Sequence, residues 1–370
     1  MRRILLIAFV ALALPACVTP PPPVTGIGGH IAWSQLPGWR DDRHAEAWPA
    51  LLAGCRRLAK RPEWKTICED TALFPDPDDD TARAFFETRF EARALSNGNG
   101  ESQGLITGYY EPLLHGSHAR SARYRYPVYR PPSDLLIVDL GDVYPELSGK
   151  RLRGRLIGRR IVPYFSRAQI DNGRSPLSGN ELLWVDDAVG LFFLQIQGSG
   201  RVRLPDGRMV MVGYADQNGH PYQSIGRRLI DMGELKREEV SLDSIRAWLA
   251  ANPERAMEVL NSNPSYVFFT ELNASLPGPL GSLNVPLTRE RSLAVDPAYV
   301  TLGLPVWVDT QRPDAAKSPY RRLMFAQDTG GAIKGAVRAD LFFGFGPEAE
   351  QLAGNMKAPG QLFVLVPRPR

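Results

Sequence analysis

The chain has 370 residues, 44% of them hydrophobic and 23% charged, with a net charge of +4. That is more chain than one hydrophobic core usually serves, so two domains are expected. Half of the small positive excess is Arg2 and Arg3, and no basic stripe with interleaved aromatics follows, which argues against a nucleic-acid partner.

The N-terminus reads as a secretory signal over residues 1–16. Arg2 and Arg3 precede an apolar run at 4–14 that is too short to span a bilayer. Leu14-Pro15-Ala16-Cys17 resembles a bacterial lipobox, which predicts lipidation of Cys17; an ordinary cleaved signal with an incidental cysteine is the alternative. Val18 after the cysteine points to the periplasmic face of the outer membrane in a Gram-negative bacterium. Residues 17–29, with four consecutive prolines at 20–23, read as a stiff tether. Cys55 and Cys68 remain, and in an oxidising compartment a disulfide is the natural reading, against two unpaired buried thiols. Five histidines without clustered ligand spacing predict neither a zinc site nor any other metal, and no cofactor is expected.

A helix is predicted over 41–60, where Trp48, Leu51, Leu52, Cys55 and Leu58 recur at spacings of three and four. A second begins at 79–81, with Phe85, Phe86, Phe90 and Ala94 on its apolar face. Residues 105–112, LITGYYEP, read as a strand. Tyr109 and Tyr110 then point to opposite faces, one core and one exposed as a sugar-stacking surface, with Glu111 beside it. Ordinary rim aromatics are the plain alternative. Leu191 to Leu194 reads as a buried strand running into Gln195-Ile196-Gln197-Gly198-Ser199. Alternation would set Gln195 and Gln197 on one face, suited to sugar hydroxyl and acetamido groups, or simply on the polar side of an edge strand. A hairpin turns at 205–207, and helices follow at 225–232, 242–251 and 253–260. From 266 to the end only short strands are expected, which suggests a small barrel.

The stretch 325–346, FAQDTGGAIKGAVRADLFFGFG, carries the chemistry. Asp328 ends a predicted strand and is followed by Thr329, Gly330 and Gly331. Asp340 precedes Leu341-Phe342-Phe343, and a carboxylate among large apolar side chains favours its neutral, proton-donating form. A glycine-rich turn with two solvated aspartates is the competing reading.

Five ordered stretches resemble the membrane-bound lytic murein transglycosylase A (MltA) family: GYYEP at 108–112, LQIQGSG at 194–200, VFF at 267–269, AVDPAYVTLGLPVWVDT at 294–310 and QDTGGAIKGAVRADLFFGFG at 327–346. The resemblance implies a mainly β fold with added helices: a double-psi β-barrel from 30–110 with 263–370, a second β domain inserted at 111–262, and a groove between them. It implies cleavage of the β-1,4 MurNAc–GlcNAc bond of peptidoglycan without water, leaving 1,6-anhydro ends. Asp340 would be the single acid and then base, with Asp328 orienting it or stabilising developing positive charge. Asp296 is the third family aspartate, or a structural Asp-Pro turn. Thr329, Gly330 and Lys334 would line the sugar site with Tyr109, Tyr110, Glu111, Gln195, Gln197, Gly198 and Ser199. Implied partners are glycan strands, the membrane through Cys17, and other cell-wall enzymes. A hydrolase with two carboxylates and a non-catalytic peptidoglycan-binding lipoprotein remain open.

Overall fold

A computed structural model describes residues 26–368, except 99, 149, 151 and 315. The signal segment and Cys17 lie outside the described residues. Among the described residues no helix is long and apolar enough to cross a membrane.

Six strands close into a ring. Gly104–Glu111 pairs in parallel with Arg338–Phe345, which pairs with Ser292–Val295, then Pro319–Asp328, Pro305–Gln311 and Lys357–Pro367. The last strand returns to the first, Lys357 to Gly360 lying against Thr107 to Gly104. A closed ring leaves no edge within it. Its interior is filled by Leu293, Val306, Met324, Ala326, Leu341 and Phe343, while Leu323 and Phe325 face outward to the N-terminal helices. Two outer strands, Phe90–Ser96 and Gly26–Ile31, extend the sheet from Lys357–Pro367.

The N-terminal helices pack on this core. Buried Arg291, next to Ser292–Val295, donates to both carboxylate oxygens of buried Asp42 (2.7 and 3.0 Å), and the amide of Leu323 donates to the same group. This ties the leading segment to two barrel strands. Cys55 and Cys68 form a disulfide linking the helices Trp48–Leu58 and Pro62–Asp70.

A second, six-stranded sheet runs in the order Val267–Leu272, Met209–Gln217, Ser199–Arg203, Leu113–Ser117, Glu181–Val185, Tyr126–Tyr129. Pro112 alone separates Gly104–Glu111 from Leu113–Ser117, so the barrel strand passes almost directly into this sheet. The helices Ala188–Gln197, Ile225–Asp231, Leu242–Ala251 and Pro253–Asn261 share a separate core. A three-stranded sheet, Leu136–Val138, Leu152–Ile157 and Arg160–Pro163, is tied to Met209–Gln217 through Arg153 and Asp216.

Several expectations need correction. Residues 26–29 are strand, not tether, because they pair with Phe90–Ser96. The predicted helix at 41–60 is regular only from Trp48; short 3₁₀ turns precede it, bent around Asp42. Phe90 and Ala94 belong to a strand, since the helix Asp79–Arg89 stops where the chain joins the sheet. The helix Pro347–Asn355 stands where only strands were expected. Val267–Leu272 pairs with Met209–Gln217, so the second sheet runs past the expected boundary at 262. The stretch from Leu191 through Gln197 is helical, capped by the Asp187 side chain and ended by Gly198 at φ 79°. A four-residue apolar run does not distinguish strand from buried helix.

Candidate active site

Four residues line up across four neighbouring barrel strands. Asp328 pairs with Ala294, Ala294 with Asp340, and Asp340 with Thr107. Directly opposed residues share a face of the sheet. A bulge at Gln327 shifts the register so that Asp328 comes opposite Ala294. Two strand spacings separate the aspartate backbones by about 10 Å, with only an alanine methyl between them.

An apolar floor lies one pleat along. Tyr109 and Phe342 are cross-strand partners with ring centroids 5.2 Å apart, and they cluster with Leu287, Ala294 and Ile333. This floor strips water from both half-buried carboxyls. Burial pushes Asp340 up to about 6; Thr107, donating from its hydroxyl at 2.7 Å, and the charge of Arg338 oppose the shift, and the charge of Asp328 adds to it. Asp340 therefore holds a proton at mildly acidic pH in a place where substrate oxygen could receive it.

Asp328 is held differently. Burial raises its affinity for a proton too, but four neutral donors work against this. The Ser282 amide and hydroxyl and the Thr329 amide donate to Oδ1 at 2.9 Å, and the Tyr109 hydroxyl donates to Oδ2 at 3.0 Å. Such a carboxylate is fixed in place, with little capacity left to activate a water.

The other predicted residues divide. Tyr109 donates to Asp328. Tyr110 is equally buried, not exposed: it faces the barrel core, and its hydroxyl donates to Glu350 at 2.9 Å. Packing from both lobes covers the two faces of that strand. Glu111 is 1% exposed and bound by Arg201 at 3.0 Å, so it presents nothing to a ligand. Gln195 and Ser199 are buried, and Gln197 accepts from the Tyr110 amide at 3.0 Å, so Gln197 joins the lobes and the three do not line a shared strand face. Gly198 is the helix cap. Asp296 is buried in a turn and accepts from the Gly335 amide at 2.9 Å, with exposed Lys334 at 3.8 Å. Thr329 and Gly330 border the aspartate row and remain partly open, the Thr329 hydroxyl 2.7 Å from that of Ser282.

Thr107, Ser282 and Ala294 escaped the sequence reading. Thr107 lies two positions before Tyr109 on one strand, which places both on one face and could have marked it. Ser282 and Ala294 carry no such signal; their roles come from pairing between distant segments.

Comparison with known proteins fits this geometry. The chain matches the MltA specific insert domain over residues 105–270 and the 3D domain over 291–366. It is 34% identical over 271 residues to membrane-bound lytic murein transglycosylase A of Escherichia coli K12, a match covering 71% of this chain and 66% of that protein. The chain belongs to the membrane-bound lytic murein transglycosylase A family. A crystal structure of MltA from Neisseria gonorrhoeae superposes with a TM-score of 0.80 at 38% identity, covering 96% of this chain and 98% of that one. The E. coli MltA crystal structure with bound chitohexaose superposes with a TM-score of 0.70 at 27% identity, covering 88% and 90%. In family terms, the six-stranded ring corresponds to the double-psi barrel with its 3D segment, and the second sheet to the insert.

Proposed function

We propose that this chain is a peptidoglycan lytic transglycosylase, cutting the β-1,4 bond from N-acetylmuramic acid to N-acetylglucosamine. The Asp340 carboxyl gives its proton to the bridging oxygen as the C1–O4 bond breaks, so the leaving sugar departs as an alcohol. The C6 hydroxyl of the same muramic residue then bonds to C1, and the Asp340 carboxylate takes the hydroxyl proton. Water is neither consumed nor released, and the product ends in a 1,6-anhydro ring. Asp328, fixed by its four donors, is placed to favour the positive charge that develops at C1.

The observation that carries this reading is the unequal treatment of the two aspartates. A two-carboxylate hydrolase needs a second carboxylate free to handle water or attack carbon. Asp328 is held by four donors, three on Oδ1 and one on Oδ2, and Glu111 is buried against Arg201. Thr329, Gly330 and Lys334 border the row and are the sugar contacts we favour. Chitohexaose bound to the E. coli relative supports a β-1,4-linked amino-sugar substrate.

The same reading divides the chain into a barrel built from both ends and a substrate domain inserted between them. It includes a lipid on Cys17, anchorage at the periplasmic face of the outer membrane and contact with other cell-wall enzymes. Incorporation of labelled fatty acid into the full chain, lost in Cys17→Ala, tests the anchor. For the reaction, murein digested in ¹⁸O-labelled water should give fragments free of the label, each one water lighter than a hydrolysed end. Labelled reducing ends would replace the transglycosylase with a hydrolase.

A further inference from the structure

The small three-stranded sheet carries a concentration of exposed aliphatic side chains. Ile137, Leu140, Val143, Leu156, Ile157 and Ile161 are all exposed, Leu156 by 61% and Ile161 by 56%, and Tyr144 joins them. Leu156 and Ile161 share one face of the hairpin and Ile157 lies with Arg160 on the other, so its tip is apolar on both faces, as contact elements often are. Leu156 and Ile161 are cross-strand partners beside a two-residue turn, with Gly158 at φ 57° in the first turn position. Every residue from 156 to 161, LIGRRI, is exposed.

The root of this hairpin is fixed while its tip stands free. Arg153 is paired with Asp216 at 2.9 Å, and the Arg155 guanidinium lies 4.1 Å from the centre of the Phe165 ring. Arg159 and Arg160, at the tip, make no ion pair among the described residues, and the tip contains no acid. Asp139, Asp142 and Glu146 sit on the neighbouring loop, and exposed Lys150 follows them.

We propose that the hairpin tip at 156–161 is a membrane-contact element that docks on an anionic phospholipid surface. Leu156, Ile157 and Ile161 enter the boundary between headgroups and acyl chains, and Arg159 and Arg160 meet lipid phosphates. Aliphatic side chains beside unpaired arginines suit that boundary, where apolar burial and attraction to anionic lipid act together. A second copy of the chain suits it less, because four arginines would then meet across a two-fold axis with no acid at the tip. The element would hold the body of the enzyme at a set orientation to the bilayer, whatever the N-terminus does.

The test uses the full chain carrying Cys17→Ser, so that any lipid at that position contributes nothing. It is compared with the same chain carrying Ile157→Ser/Ile161→Ser or Arg159→Glu/Arg160→Glu. The N-terminal segment is identical in all three and cancels. Sedimentation with vesicles of 70% phosphatidylcholine and 30% phosphatidylglycerol should show at least tenfold weaker partitioning for each variant. With pure phosphatidylcholine the difference between parent and charge-reversed chains should disappear. Digestion of murein in solution should be unchanged, since none of these residues approaches the aspartate row. Equal partitioning of all three chains overturns the proposal. So does a dimer in sedimentation velocity that Ile157→Ser/Ile161→Ser dissolves while vesicle partitioning stays the same, an outcome that would make the patch a self-association surface.

Discussion

The strand Gly104–Glu111 serves two regions that treat buried carboxyls in opposite ways. At the aspartate row, Asp340 is bonded to a threonine hydroxyl and Asp328 to two amides and two hydroxyls, with no ion pair to either among the described residues. At the seam with the second sheet, Glu111 is deeper still, and Arg201 covers it from the neighbouring lobe. Burial raises the proton affinity of both carboxyls; Arg201 opposes it at the seam by hydrogen bonding and charge, and Arg338 opposes it at Asp340 by charge alone. A cation hydrogen-bonded to Asp340, as Arg201 is to Glu111, would stabilise its charged form and remove its proton at working pH. Neutral donors orient the acid and leave it protonatable. The comparison sets the proposed acid, held by a neutral donor, against a carboxyl tied to an arginine between two bodies.

The sharpest way to break the comparison is Asp340→Asn. Release of anhydro-muropeptides, followed by mass spectrometry, should fall by about 10³-fold or more, the range expected when a general acid is lost. Murein binding should survive. Substantial residual turnover would move the acid elsewhere.

The seam should respond in stability instead. Arg201→Ala leaves a buried charge uncovered and should cost about 3 kcal/mol in denaturant unfolding. Adding Glu111→Gln should recover part of that loss. If turnover per folded molecule also collapsed, Glu111 would belong to the chemistry.

Asp340 should also be a destabilising group at neutral pH. Its proton affinity is higher folded than unfolded, about 6 against 3.8, so its favourable contribution is present below pH 4 and is lost as pH rises through 6. Asp340→Asn should therefore stabilise the fold at pH 8 by about 3 kcal/mol at most, and hardly at all at pH 4. A uniform change across pH would mean that burial does not control this acid.

The smallest effect is expected from Asp328→Asn, a loss of turnover of about 10-fold to 100-fold. Removing that negative charge also makes the Asp340 proton easier to lose, so the alkaline limb of the activity profile should move to lower pH. A limb that stays in place would uncouple the two aspartates.

Much of the barrel was legible. The apolar runs around Val306, Leu323, Leu341 and Leu362 each lie in a ring strand, because they alternate with turn residues at short spacing. The two aspartates were legible through their glycine and aromatic neighbours. Ala294 between them was not, since its place depends on register between segments far apart in the chain. The helix Ala188–Gln197 was missed although both of its end signals, Asp187 and Gly198, were present. Local apolar density outweighed them in the reading, and the packing of Phe192 and Phe193 against Ile225 and Trp248 explains why the run is helical.

The strand Lys357–Pro367 pairs with three others, two of them formed by residues before 112. Ribosomes deliver it after everything it must join. Thr107 is therefore waiting long before Asp340 has been made, and the ring shuts only once residues beyond 357 are free to move into it. Activity should thus switch on abruptly, late in the life of each new molecule, with no half-built form able to cut a wall.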